Sequence, residues 1–267
     1  MKHKASLTTM EPNYQDDFLI EADKSFRTLF SRAQQSDELQ FVLSLIPESR
    51  PYAINTFAES QSAVNEYLDY LADGMKSRIS VRVALALYSH ISESSALWEI
   101  PMNMMNILNG DRYSVIPFSE RVKNLGDKEN SIAPNANQIM RYLIKCAQKT
   151  GIEQLALAFK NAFDPDLRNG FSHADYVIMA DGICVGPRYK RERIITWDEF
   201  LGLLNRAINF RVTLEQVHKE YLESYSTLKT LTGRINNIQP EGTYDVYYRD
   251  GALTIRGGIG HGQLPKV

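Results

Sequence analysis

The stretch Leu167 to Tyr176, LRNGFSHADY, places an arginine, an asparagine and a histidine within about one and a half helical turns. A guanidinium holds a phosphate in a planar fork of N–H donors. An imidazole has its ordinary pKa near neutrality, so it can take up and release a proton at physiological pH. Arg168, Asn169 and His173 therefore have the types and spacing to act on a phosphodiester without a metal ion, with the asparagine orienting one of the other two. Asp164 and Pro165 stand directly before them, and Asp at an N-cap followed by Pro at the first helical position predicts a helix start. On that helix Asn169 and His173 share a face. Arg168 lies about 100° away around the axis and reaches the same phosphate with its longer side chain.

Arginine-to-histidine spacing alone separates little, because Arg211 with His218 and Arg256 with His261 repeat it. The first pair falls in a long apolar stripe and the second in a glycine-rich tail, so both read as incidental. Asn169, the Asp-Pro start and helical stripes on both sides set Arg168 and His173 apart. A structural assignment competes with the chemical one: Arg168 and Asn169 would bond backbone carbonyls at a helix-to-hairpin junction, and His173 would fill a polar core position.

Two further groups could join such a site. Arg188, Tyr189, Lys190, Arg191 and Arg193 put four cations and an aromatic ring in one short segment, suited to RNA phosphates and a stacked base, or to a plain solvated loop. His90 and Glu93 lie one helical turn apart and could line one cleft, although a core histidine beside a surface glutamate fits the same spacing. Cys146 and Cys184 have neither metal-ligand spacing nor the density of a disulfide scaffold and read as reduced. No Walker loop, GxGxxG, GxSxG or HExxH occurs, so neither a metal nor another cofactor is expected.

The composition bounds the rest. With 43% hydrophobic residues among 267, the chain can bury a large core, and a net charge of -2 argues against indiscriminate coating of nucleic acid, so any nucleic-acid contact must be local. The N-terminus lacks the apolar run of a signal peptide, and no stretch approaches the roughly 18 apolar residues of a membrane span. The expectation is a cytoplasmic protein with no membrane partner.

The elements that must position the motif follow from periodicity. Residues 1–13 read as a flexible leader. Helical stripes run from Tyr14 to Gln35, and from Val64 through Gly74 to Leu97 as a long central helix. A short helix is expected between Pro101, placed in its first turn, and Gly110; others span Asn137 to Lys149, capped by Gly151, and Ile152 to Phe163. After the motif, Ala180-Asp181-Gly182 predicts a β-hairpin near 176–186. Thr196-Trp197-Asp198-Glu199 has capping-box spacing and opens a helix to about Thr230. A helical domain over 14–235, a C-terminal hairpin over 236–258 turning at Asp250-Gly251, and a flexible tail over 259–267 complete a mainly α chain with two small β-hairpins.

The Arg168-Asn169-x-x-x-His173 pattern, near a helix start within a helical chain, resembles the HEPN superfamily. Its motif is an arginine, often followed by Asn, Asp or His, and then a histidine four to six residues on. The resemblance implies a helical bundle that forms a homodimer and cleaves RNA without metal across the dimer axis. Such cleavage leaves 2′,3′-cyclic phosphate and 5′-hydroxyl ends, in the service of defence or stress. It implies that His173 does the acid/base work, that Arg168 stabilises the charge on phosphorus and that Asn169 orients one of them; a regulatory protein partner is compatible with it. Other members are noncatalytic modules that bind nucleotides, RNA or proteins. Where some toxins of the superfamily carry a tyrosine two residues after the histidine, this chain has Asp175, with Tyr176 one residue later.

Overall fold

The computed structural model describes residues 17–46, 56–118, 123–124, 131–132, 134–186 and 192–258. The expected leader, the segment 187–191 and the tail 259–267 lie outside the described residues. In chain order the elements are α1 (Asp17–Ser36), α2 (Glu38–Ser44), α3 (Thr56–Leu71), α4 (Arg78–Glu93), α5 (Ser95–Leu108), β1 (Lys123–Asn124), β2 (Ser131–Ile132), α6 (Ala136–Lys149), α7 (Glu153–Ala162), α8 (Pro165–Ser172), β3 (Tyr176–Ile178), β4 (Gly182–Val185), β5 (Arg193–Thr196), α9 (Trp197–Glu223), β6 (Lys229–Gly233), β7 (Gly242–Arg249) and β8 (Ala252–Gly258). The chain is a mainly helical bundle with two small three-stranded antiparallel sheets, β3-β4-β5 and β6-β7-β8. No helix among the described residues is long and apolar enough to cross a membrane.

Two apolar clusters share the interior. One joins α1, α2, α5, α6, α7 and the second half of α9 with the C-terminal sheet; the other joins α3, α4, α8, the β3-β4-β5 sheet and the first half of α9. Helix α9 spans both because its stripe continues: Phe200, Leu204 and Ala207 enter the second cluster, while Phe210, Leu214 and Val217 enter the first. Phe210 lies 5.2 Å from Phe26, 5.8 Å from Phe159, 6.0 Å from Trp98 and 6.2 Å from Phe163, ring centre to ring centre. Each fully buried ring among them, Phe163 being only half-buried, contributes about 1.5–3 kcal/mol. Phe163 packs against both clusters and immediately precedes the Asp164-Pro165 start of α8, so the motif helix grows from the seam between them.

The expected long helix from Val64 to Leu97 is instead three helices. Gly74 takes a left-handed φ of 85°, and Ser77 opens a capping box with Ser80, so α4 begins afresh. A second break at Ser94 starts α5, and this helix is the central one, with Trp98, Met102 and Met105 fully enclosed. Pro101 sits in its middle rather than in its first turn. Proline has no N–H for the Leu97 carbonyl, and burial around most of the helix circumference offsets that loss.

Each expected hairpin gains a third strand. β5 pairs with β4, Ile195 opposite Ile183, and β6 pairs with β7, Leu231 opposite Tyr244. Consequently α9 ends at Glu223 rather than near Thr230, and Leu228 is exposed. Tyr225, buried just after it, donates its hydroxyl to Glu38 at 2.9 Å, which turns the chain into β6. Thr196 caps α9 by accepting from the Glu199 backbone, but the Glu199 carboxylate bonds Arg193 instead of returning to the cap.

Candidate functional site

The motif helix is held at both ends and along one side. At its start Asp164 Oδ1 accepts from the backbone N–H groups of Asp166 at 2.9 Å and Leu167 at 2.8 Å, as the Asp-Pro signal implies. The other carboxylate oxygen, Oδ2, accepts from Arg193 Nη1 at 2.7 Å, and the Asp164 N–H donates to the Tyr88 hydroxyl on α4. At its end the Asp175 N–H bonds the Gly170 carbonyl at 2.7 Å and the Ala174 N–H bonds the Phe171 carbonyl at 3.0 Å. That is a Schellman closure, with Ala174 at φ 55° in the position usually given to glycine. Gly170 explains itself here: a Cβ would sit 2.9 Å from Val185 Cγ1 on β4, so the small residue lets the sheet close onto the helix.

Arg168 is 7% exposed, and its guanidinium is set by side chains from two helices. Nη1 donates to Glu93 Oε1 at 3.2 Å, and Nη2 donates to Asn169 Oδ1. Asn169 Oδ1 also accepts from Asn137 Nδ2 of α6 at 3.2 Å, while Ser172 Oγ donates to the same Glu93 oxygen at 3.2 Å. Among the described residues, side chains thus take two of the five guanidinium N–H groups, and the buried Nε has no partner. These residues line an open cleft of about 670 Å³ between the ends of α4, α6 and α8, together with Asn135, Asp166 and Asp175. His173 stands on the same wall, exposed, as the C-cap of α8; its backbone N–H bonds the Asn169 carbonyl at 3.0 Å. Its imidazole makes no hydrogen bond among the described residues.

Arg168 bonds side chains rather than junction carbonyls, and His173 faces solvent rather than the core. Arg211 and His218, by contrast, are both buried: Arg211 pairs with Glu215 at 2.7 Å, and His218 Nε2–H donates to the Leu45 carbonyl at 2.8 Å. Burial holds the His218 pKa below its ordinary value, as expected of a neutral core histidine.

The remaining candidates divide. Glu93 lines the cleft, but His90 does not: its Nε2 meets Ser60 Oγ of α3 at 2.9 Å and its ring abuts Tyr67. A three-residue step turns about 60° short of a full helical turn, enough to send these neighbours to different partners. Burial is also the leading cause of a lowered pKa at His90. Arg193, expected to bind RNA, instead ties the α8 cap to Glu199 and is occupied within the fold. Arg188, Tyr189, Lys190 and Arg191 lie outside the described residues. Asn137, Asn135 and Ser172 join the site without a motif that marks them in the sequence. Only Asn135 carries a local signal, a capping box with Gln138.

Among the described residues no group of three His, Cys, Asp or Glu side chains is placed to hold a metal ion. Cys146, buried, and Cys184, half-buried, form no disulfide. Comparison of the chain with protein-family models, with curated proteins and with solved structures finds no match in any of the three.

Proposed function

We propose that the protein is a metal-independent endoribonuclease of HEPN type, with two Arg168/His173 sites paired across a homodimer axis. One observation carries the reading: a buried arginine, aimed by Glu93 and Asn169, shares a cleft wall with an exposed histidine whose ring is unbonded among the described residues. A neutral His173 imidazole takes the proton of the ribose 2′-hydroxyl, the 2′-oxygen attacks phosphorus, and the 5′-oxygen leaves. His173 of the partner subunit protonates that leaving oxygen. Arg168 stabilises the charge on the five-coordinate phosphorus, and Asn169 keeps the guanidinium in place. The ends formed are a 2′,3′-cyclic phosphate and a 5′-hydroxyl.

A noncatalytic HEPN-like module binding a nucleotide, RNA or a protein is the second reading. The carboxylates of Glu93, Asp166 and Asp175 on the same wall favour its protein-binding form, because they weaken the attraction of the cleft for a polyanion. Incubating the protein with RNA in EDTA separates the two. Cleavage lost in His173→Ala supports the ribonuclease; cleavage that is absent, or equal in the variant, sinks it. Binding without turnover, weakened by Arg168→Ala and retained in His173→Ala, supports the module. Light scattering that finds only monomer removes the paired site.

A further inference from the structure

With three carboxylates around one arginine, the cleft supplies little net attraction for RNA by itself, and a chain of net charge -2 offers no general basic surface. Helix α6 supplies the missing charge locally. Asn137, bonded to Asn169 in the cleft, begins a series continued every fourth residue by Arg141, Lys145 and Lys149. All three cations are exposed, and neither lysine forms an ion pair or hydrogen bond among the described residues. Among the described residues Arg141 bonds only the Asn137 carbonyl, through Nε at 3.2 Å, so its Nη1 and Nη2 groups are uncommitted. A four-residue step overshoots a turn by about 40°, so the ridge winds around α6 as it leaves the cleft.

The ridge ends in a second cavity of about 350 Å³, where Lys145 and Lys149 meet Arg112, against one carboxylate on the wall, Asp111. Arg112 is held in place: Nε donates to Asn237 at 2.7 Å and Nη1 to the Arg234 carbonyl at 2.7 Å, while Nη2 makes no hydrogen bond among the described residues. A guanidinium held in this way loses little side-chain freedom when it takes a phosphate oxygen. From Asn137 to Lys149 the helix rises ~18 Å, which about five nucleotides bridge at the ~3.4 Å per nucleotide of a stacked strand.

We propose that the Arg141-Lys145-Lys149 ridge of α6 and the Arg112 pocket at its end bind the sugar-phosphate backbone of the single-stranded RNA whose scissile phosphate enters the Arg168/His173 cleft. The identity of the polymer rests on the ribonuclease reading. The test measures affinity, not turnover: the full-length His173→Ala protein is titrated with labelled single-stranded RNA in EDTA, with and without Lys145→Gln plus Lys149→Gln. Removing two cations that each neutralise a phosphate of a single strand lowers the slope of log K against log salt by about 1.4, so raising salt from about 50 to 200 mM weakens the parent about sevenfold more than the variant. Adding Arg141→Gln lowers the slope by about 0.7 again, and a dinucleotide, too short to leave the cleft, binds all forms alike.

An unchanged slope overturns the ridge even where His173→Ala abolishes cleavage, and then the ribonuclease reading stands alone. The expected slope change with no cleavage by the unmodified protein keeps the ridge and removes the ribonuclease. Loss of polyglutamate binding with RNA binding unchanged assigns the ridge to an acidic protein partner and overturns the proposal.

Discussion

Replacing Gly170 by alanine sets helix propensity directly against packing. On an open helix the change gains about 0.8–1.0 kcal/mol. Here the new methyl would lie 2.9 Å from Val185 Cγ1, 3.2 Å from Val185 Cβ and 3.3 Å from the Asp175 carbonyl oxygen. Val185 is 1% exposed and cannot swing into solvent, and the Asp175 carbonyl is engaged by the Gly186 N–H. Overpacking of this kind costs about 1–3 kcal/mol, so the net expectation is a loss of about 1 kcal/mol, or ~2–4 °C in Tm for a chain of this size. Urea unfolding of Gly170→Ala, Val185→Ala and the double variant isolates the packing effect. Removing the valine methyls costs about 1.6 kcal/mol from lost burial alone, yet makes room for the alanine, so the double variant is expected to lose about 1 kcal/mol less than the sum of the singles. Relief is partial because the Cβ at position 185, 3.2 Å away, and the Asp175 carbonyl remain. Strict additivity, or a Gly170→Ala protein more stable by the full helix-propensity gain, would refute the contact between α8 and β4 that aims the motif.

Three further outcomes follow from the same geometry. Ala174→Gly relieves a left-handed residue at φ 55° and is expected to add about 0.5–1 kcal/mol in urea unfolding, the strain relief being partly offset by a freer unfolded chain; a less stable variant contradicts the Schellman closure. Glu93→Gln leaves Arg168 without its carboxylate; because Glu93 is 48% exposed, solvent discounts the loss to about 1 kcal/mol. RNA binding at fixed salt is expected to tighten severalfold as the competing charge goes, and weaker binding would show that Glu93 assists the phosphate. Acid should destabilise the fold through His218, whose folded pKa lies below its unfolded value. The unfolded chain then binds the proton first, so stability held above about pH 6.5 falls as pH drops towards the folded pKa, by up to about 1.4 kcal/mol per unit. His90, shifted the same way, adds to the slope. Denaturant midpoints taken through this window in His218→Gln should show a shallower fall, and an identical slope removes His218 as its cause.

Much of the local structure is legible in the sequence because its causes are local. Asp164-Pro165 marks the start of α8, Gly151 at φ 71° closes α6, and Asp250-Gly251, both at positive φ, turn the last hairpin. Each is decided by the backbone preferences of one or two residues. The same signals put Arg168, Asn169 and His173 within about one and a half turns of a helix, and α8 is that helix, with His173 as its C-cap.

What lies beyond them depends on distant partners. Apolar periodicity runs through Gly74 and Ser94 without a pause, so the stripe could not show that three helices, not one, fill the space, or that α5 is the central one. β5 and β6 exist because β4 and β7 offer them hydrogen bonds, and neither segment carries a strand signal strong enough to be read alone. Spacing puts His90 and Glu93 on one face, but Ser60 on α3 draws the first away and Arg168 on α8 holds the second. Sequence by itself determined which chemical groups this protein has and the helix that carries three of them. Tertiary structure decided how they are placed, since burying Arg168 against Glu93 while leaving the His173 imidazole exposed, with no bond among the described residues, depends on packing between helices that are far apart in the chain.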